Sequence, residues 1–240
     1  MNKLIICPSY ECPFNCNFCY NKNYDGTLLD LTLLDEFLNK HYKKFDSVTI
    51  SGGEPSLLLK SYLTSMINII KKYFTEIEIE TYPINVMDKY DGIKYNYSYD
   101  FIARPRAREA WVNILNSDRE YDLNITLSHL MFKYHPNKIL YNLTLLKNLK
   151  TVHFKPYFRT NPSQRVISHY DYQKFTNMIK STDLRLNYNI KVFELDNEYI
   201  LTPYGKLMGV KFEDDIRVEY EIAPNKIGKI ETNYPYCVRV

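Results

Sequence analysis

The chain has 240 residues, 45% of them hydrophobic and 25% charged, with a formal net charge of +3. That is enough chain for one domain with a substantial core, and the composition is ordinary for a soluble globular protein. So small a charge excess does not call for a polyanionic partner, and no apolar run reaches the ~18 residues of a membrane span. The start, Met1–Cys7, holds an apolar stretch shorter than the ~7–15 residues of a secretory core. Five cysteines, three of them clustered, do not make an extracellular disulfide framework. The expected compartment is therefore reducing and cytoplasmic, with no membrane partner, and the sequons at Asn96, Asn124 and Asn142 are incidental.

Leu4-Ile5-Ile6-Cys7 reads as a first strand, followed by Cys12-Pro13-Phe14-Asn15-Cys16-Asn17-Phe18-Cys19. Asp30–Lys44 carries Leu31, Leu34, Phe37, Leu38 and Tyr42 at helical spacing, with Asp30 placed to cap. A second strand over 47–51 ends in Ser51-Gly52-Gly53-Glu54-Pro55. A chain with only 7 glycines that sets two side by side after a strand needs the backbone to come close to something there, or to turn sharply. Residues 57–73 repeat the helical pattern through Leu58, Tyr62, Met66, Ile69, Ile70 and Tyr73. Ile77–Thr81 is the third strand and Tyr95–Phe101 the fourth, with a helix over Arg106–Leu115. Leu123–Leu127, the helix Lys138–Leu149, the strand Thr151–Phe158 and the helix Asp171–Lys180 complete the alternation.

Strand–helix alternation predicts an α/β fold with a parallel sheet. Repeated βα units place ligand-binding loops at the carboxyl ends of strands, where both the cysteine loop and the double glycine fall. Beyond 185 the pattern changes. Lys191–Leu195 and Tyr199–Leu201 flank Asp196-Asn197-Glu198, and Tyr204-Gly205-Lys206 precedes Leu207–Phe212, which reads as short antiparallel strands joined by turns. The expected organisation is a domain over 1–184 and a β-rich extension over 185–240.

Cysteine thiolates in tight runs hold iron–sulfur clusters. A C-x3-C-x2-C loop can wrap three corners of a cubane and leave the fourth iron open to a small molecule. Structural zinc takes two ligand pairs some 12–20 residues apart, and after Cys19 the next cysteine is Cys237. Cys7 would complete a four-thiolate set only by crowding all four into 13 residues, and reads instead as a small apolar residue of strand one. Unligated thiols are the remaining alternative.

The C-x3-C-x2-C loop after the first strand, Phe18 before its last cysteine, and Gly-Gly-Glu-Pro after the second strand resemble the radical S-adenosylmethionine (SAM) enzymes. The resemblance extends over roughly residues 3–160, and Cys16-Asn17-Phe18-Cys19-Tyr20 resembles the subset acting on peptides and other polar substrates. It implies a partial (β/α)6 barrel of parallel strands, here with a short antiparallel C-terminal extension. It implies that Cys12, Cys16 and Cys19 ligate a [4Fe-4S] cluster whose fourth iron is chelated by SAM. Reductive cleavage of SAM would then give a 5′-deoxyadenosyl radical that abstracts hydrogen from substrate. An external one-electron donor of the flavodoxin or ferredoxin type is implied as well.

By the same resemblance Gly52, Gly53 and Glu54 lie at the methionine end of SAM. Phe18 lies against its adenine, or is a core aromatic beneath the loop. Ser98 and Asp100 share one face of strand four and are candidates for the ribose, the alternative being a solvent-facing pair. Glu80 and Thr81, at the end of strand three, are comparable candidates. Arg104, Arg106 and Arg108 cluster where a helix begins and where cations oppose the macrodipole. An anion held by Arg104, either the SAM carboxylate or the phosphate of a phosphate-bearing substrate, would explain them, as would a solvated basic face. A peptide, a nucleotide or nucleobase and a cofactor precursor all remain open as substrates. A radical-installing activase and a zinc-stabilised binding module are the other two readings.

Overall fold

A computed structural model of the chain describes residues 1–14, 16, 19, 26–85, 87–99, 106–127, 136–156, 168–181, 189–192, 197–213 and 216–228. One ten-stranded sheet runs through it in the order β10-β9-β8-β1-β2-β3-β4-β5-β6-β7. The strands are β1 (Asn2–Ile6), β2 (Ser47–Ile50), β3 (Ile77–Thr81), β4 (Ile93–Tyr99), β5 (Tyr121–Leu127), β6 (Leu149–Pro156), β7 (Asn189–Val192), β8 (Asn197–Leu201), β9 (Leu207–Glu213) and β10 (Ile216–Glu221). From β8 through β1 to β7 every neighbouring pair is parallel. Among the described residues, the antiparallel pairs are β8–β9 and β9–β10.

The helices are α1 (Leu31–His41), α2 (Lys60–Ile70), α3 (Ala107–Leu115), α4 (Pro136–Leu143) and α5 (His169–Ser181). Asp30 starts α1 as the spacing predicts, its carboxylate accepting from the Thr32 and Leu33 N–H groups at 2.7 and 3.2 Å. Both early helices are shorter than their apolar periodicity. The end of the first is drawn into a 3-10 turn over Tyr42–Lys44, and Pro55–Leu57 forms another before α2. The buried stripe of α2 is Leu63, Met66, Ile67 and Ile70. Tyr62 and Tyr73 flank it and spend their hydroxyls on Leu29 O and Asp35.

The region beyond 185 departs from the expectation of local hairpins over 191–201. β7 pairs with β6, while β8 pairs with β1 in register from Asn2↔Asn197 to Ile6↔Leu201. These two strands extend opposite edges of the parallel sheet. Apolar Tyr199 and Leu201 drive this, because they join the core of Leu4, Ile6, Val48 and Ile50 beneath α1 and α2. Laid flat, eight strands at about 4.8 Å spacing would part β7 from β8 by roughly 34 Å. The five links from Val192 to Asn197 reach at most about 18 Å. The sheet must curl.

Register fixes what lines the inside of the curl. Val48, Ile50, Ile77, Ile79, Tyr95, Tyr97, Leu123, Ile125, Val152 and Phe154 alternate onto one face and are buried. The other face pairs Thr49 with Glu78, Glu80 with Asn96, Ser98 with Asn124, and Asn124 with His153. Parallel sheets normally bury apolar residues on both faces. This one keeps a polar inner wall.

Candidate functional site

The carboxyl ends of β1, β2 and β3 converge on the cysteine loop. Cys7 closes β1, its N–H donating to Leu201 O at 2.9 Å, while Ser51 N–H donates to Ile6 O at 3.0 Å. Past Cys7 the chain turns across the double glycine: Gly53 N–H donates to Ser9 O at 3.0 Å and Glu54 N–H to Glu11 O at 2.9 Å. Gly52 has φ +129°, and a Cβ there would lie 2.1 Å from Cys7 Sγ. A Cβ on Gly53 would lie 2.3 Å from Glu11 O and 2.7 Å from Ser9 O. The close approach read from the sequence is thus made by the protein's own cysteine loop, so glycine is required at both positions whatever else binds beside them.

Glu54 is buried and spends its carboxylate within the protein. One oxygen accepts from Ser56 N–H at 3.0 Å and from the Thr81 hydroxyl, the other from Tyr82 N–H at 2.9 Å. Burial pushes its carboxyl above the usual range, and these donors pull it back only in part. Thr81 thereby enters the site as a partner of Glu54.

Cys12, Cys16 and Cys19 are in no disulfide among the described residues, Cys16 buried and the others half-buried. The x2 spacing closes a turn in which Cys19 N–H donates to Cys16 O at 3.0 Å. Burial pushes the Cys12 thiol up to about 11; a hydrogen bond from Phe14 N–H opposes this, and the charges of Glu54, Cys16 and Cys19 add to it. Among the described residues no three His, Cys, Asp or Glu side chains gather as one metal ion requires. Thiols spread along a loop suit separate corners of a cluster, each iron taking one sulfur. Cys7 behaves as read: it is 1% exposed, bonds Ser9 O at 3.4 Å, and is pushed by burial to about 12.

The inner wall rises to the same mouth. Glu80 accepts from Asn124 Nδ2 at 3.0 Å and lies 3.7 Å from Lys155 Nζ. Ser98 sits on this wall beside Asn124 and is buried, so it is not solvent-facing. Asn96 Oδ1 and Asn124 Oδ1 are buried with no hydrogen-bond partner among the described residues. Deeper in the lumen, Asp122 lies 2.6 Å from Lys94 Nζ and 3.6 Å from His153. Lys3 pairs with Glu78 at 3.4 Å, and Arg217 lies 3.3 Å from both Glu198 and Glu219.

Asn96 and Asn124, which the sequence presents only as incidental sequons, are buried on this wall. Their signal was present in the alternation Asn-x-Ser in β4, Asp-x-Asn-x-Thr in β5 and His-x-Lys in β6. Of the arginine cluster, Arg106 takes φ 55° at the start of α3 and pairs with Glu109, which relieves the clash with the macrodipole. Phe18, Asp100, Arg104 and Cys237 lie outside the described residues.

Residues 7–91 match the family model of a 4Fe-4S single cluster domain, a span that contains all three clustered cysteines. Among curated proteins none matches the chain in sequence. Among solved structures, Streptococcus suis SuiB bound to S-adenosylmethionine superposes with a TM-score of 0.68 at 13% identity, over 85% of this chain and 59% of SuiB. The protein anSMEcpe with bound AdoMet superposes with a TM-score of 0.66 at 14% identity, over 87% of this chain and 74% of the other. This is the radical SAM fold. SuiB has also been solved bound to its precursor peptide SuiA, with a TM-score of 0.65, 13% identity and coverage of 85% and 58%. The present chain thus spans a little under three fifths of SuiB and about three quarters of anSMEcpe. Cys12, Cys16 and Cys19 lie beyond the carboxyl end of β1, and their sulfur donors suit the 4Fe-4S cluster that the family model describes. Among the described residues no helix is long and apolar enough to cross a membrane.

Proposed function

We propose that this chain is a radical SAM enzyme that takes a hydrogen atom from a peptide. Cys12, Cys16 and Cys19 hold the cluster as thiolates. When bound, the reduced cluster supplies the electron that splits SAM into methionine and the hydrogen-abstracting 5′-deoxyadenosyl radical. The chain's own residues place and shield. Gly52 and Gly53 let the cysteine loop settle onto the second strand's turn, and Glu54 fixes that turn to the third strand. Glu80, Ser98, Asn124 and Lys155 offer hydrogen bonds and opposite charges along the inner wall, where a polar, zwitterionic ligand finds partners. Asp100, Arg104 and Phe18 belong to the same expectation by resemblance. A flavodoxin- or ferredoxin-type protein delivers the electron, and residues 185–240 extend the barrel of 1–184.

The reading is carried by three closely spaced cysteines, none in a disulfide among the described residues, on a loop bonded to the turn after β2, in a fold shared with SAM-bound SuiB and anSMEcpe. The peptide class is supported by SuiB with SuiA and by anSMEcpe, solved with AdoMet and a Cp18Cys peptide. Anaerobic reconstitution with iron and sulfide is expected to give a brown protein that cleaves SAM under reduction. Cys16→Ala is expected to lose both properties. Stoichiometric zinc without sulfide in oxygen-protected protein would instead mean a binding module. A stable radical on a partner protein would mean an activase.

A further inference from the structure

The residues around Glu54 form a closed circuit. From the cysteine loop, Ser9 O and Glu11 O accept the Gly53 and Glu54 N–H groups at 3.0 and 2.9 Å. The Glu54 carboxylate then crosses to the end of β3, taking the Thr81 hydroxyl and the Tyr82 N–H, and also holds Ser56 N–H at the start of its own 3-10 turn. The ring of Tyr82 returns to the cysteine loop, meeting Phe14 edge-on with centroids 5.1 Å apart and planes at 88°. Phe14 lies between Cys12 and Cys16 in the sequence. Ser9, Glu11 and Phe14, on either side of Cys12, are thus tied to the ends of β2 and β3, and Glu54 at the centre is 6% exposed.

We infer that Glu54 is a positioning residue for the cluster-binding cysteines, acting through Thr81, Tyr82 and Phe14, and does not act as a ligand of SAM. This rests on the proposed function for what the cysteines hold. A carboxylate accepts in roughly four directions, and here three are taken by donors of the protein within a space nearly closed to solvent. To turn outward toward a bound ammonium, Glu54 would have to abandon Thr81 and Tyr82 and leave their donors unpaired in a buried place. An amide in its stead offers one accepting oxygen and an NH2 group that meets either Tyr82 N–H or Ser56 N–H donor to donor. Thr81 supplies an independent handle, because its side chain is committed to Glu54 and it belongs to a different strand.

Four chains decide the matter: wild type, Glu54→Gln, Thr81→Val, and both together, with Ile67→Val in the α1–α2 core as a stability control. In the iron-free state, alkylation of Cys12 and Cys19 is followed by mass spectrometry. Both single variants are expected to speed it, the double variant no more than Glu54→Gln alone, and Ile67→Val not at all. In the reconstituted state, both are expected to bind iron ~10–100-fold more weakly, as loss of a supporting partner does at metal sites. The electron paramagnetic resonance lines of the reduced cluster should shift in both. The inference is overturned if Thr81→Val matches wild type in all three readouts. It is equally overturned if Glu54→Gln weakens SAM binding alone. Should Glu54→Gln fail to fold, Thr81→Val and the control still decide. Should wild type take up no cluster, the proposed function fails, and the alkylation series alone judges the circuit.

Discussion

At Gly52 a methyl group has no room: it would overlap Cys7 Sγ, and the backbone at φ +129° suits no side chain. Gly52→Ala therefore combines overpacking with backbone strain and is expected to cost about 2–5 kcal/mol. Gly92 is the comparison, because φ is +70° but nothing lies within 4 Å of its would-be Cβ. Gly92→Ala should cost only about 1–2 kcal/mol, the left-handed strain alone. Urea denaturation of the iron-free proteins checks both, and equal costs would contradict the packing account. A glycine pair set after a strand is a local signal, so the need for it could be read from the sequence, though not that Cys7 and the Ser9–Glu11 backbone are what fill the space. The partner of Glu54 is another matter. Thr81 lies 27 residues away, and nothing local in Gly-Gly-Glu-Pro says that its carboxylate will be used up at the end of β3. Asn124 was missed for a related reason: its role shows only once β4, β5 and β6 stand side by side.

Among the elements, β4, β5 and β6 are bound by a charge as well as by their ladder. Asp122 in β5 is 1% exposed and faces Lys94 of β4 and His153 of β6. Burial alone would raise its carboxyl. The nearby His153 and Lys94 outweigh that and hold it below the ordinary 3.8. A carboxyl lowered on folding adds stability that is complete above its unfolded value and is lost as pH falls through the folded one. Denaturation midpoints measured from about pH 6 down to about pH 2 should therefore fall more steeply for wild type than for Asp122→Asn. Parallel curves would show that the trio contributes nothing. Element type was well marked in the sequence, since every predicted βα unit through α5 is present, with ends displaced where Pro55 and Tyr42–Lys44 tighten into 3-10 turns. Strand partners were not marked. Lys191 and Tyr199 are neighbours in sequence, yet their strands lie on opposite edges, because β8 finds its apolar complement in β1.

For the whole molecule, β8 is part of the barrel's fabric. Tyr199 is fully buried, meets Phe45 at 5.8 Å between ring centroids, and accepts the Gly228 N–H at 2.7 Å through its hydroxyl. Tyr199→Ala opens a cavity beneath α1 and orphans that donor, so a loss of about 3–5 kcal/mol is expected in the same urea assay. A chain ending at residue 188 should show no cooperative unfolding transition. Retention of one would show that the first six strands stand without β8. The curled sheet also divides labour between its two sides. Cohesion comes from Ile, Leu, Val and Tyr turned toward the helices, whereas Glu80, Asn96, Ser98, Asn124 and Lys155 look into the hollow and hold little of the scaffold up. Odd and even positions along the same strand can therefore drift under separate pressures. A lineage could rewrite what the hollow recognises, one alternate residue at a time, and leave the framework that shelters the thiols as it was.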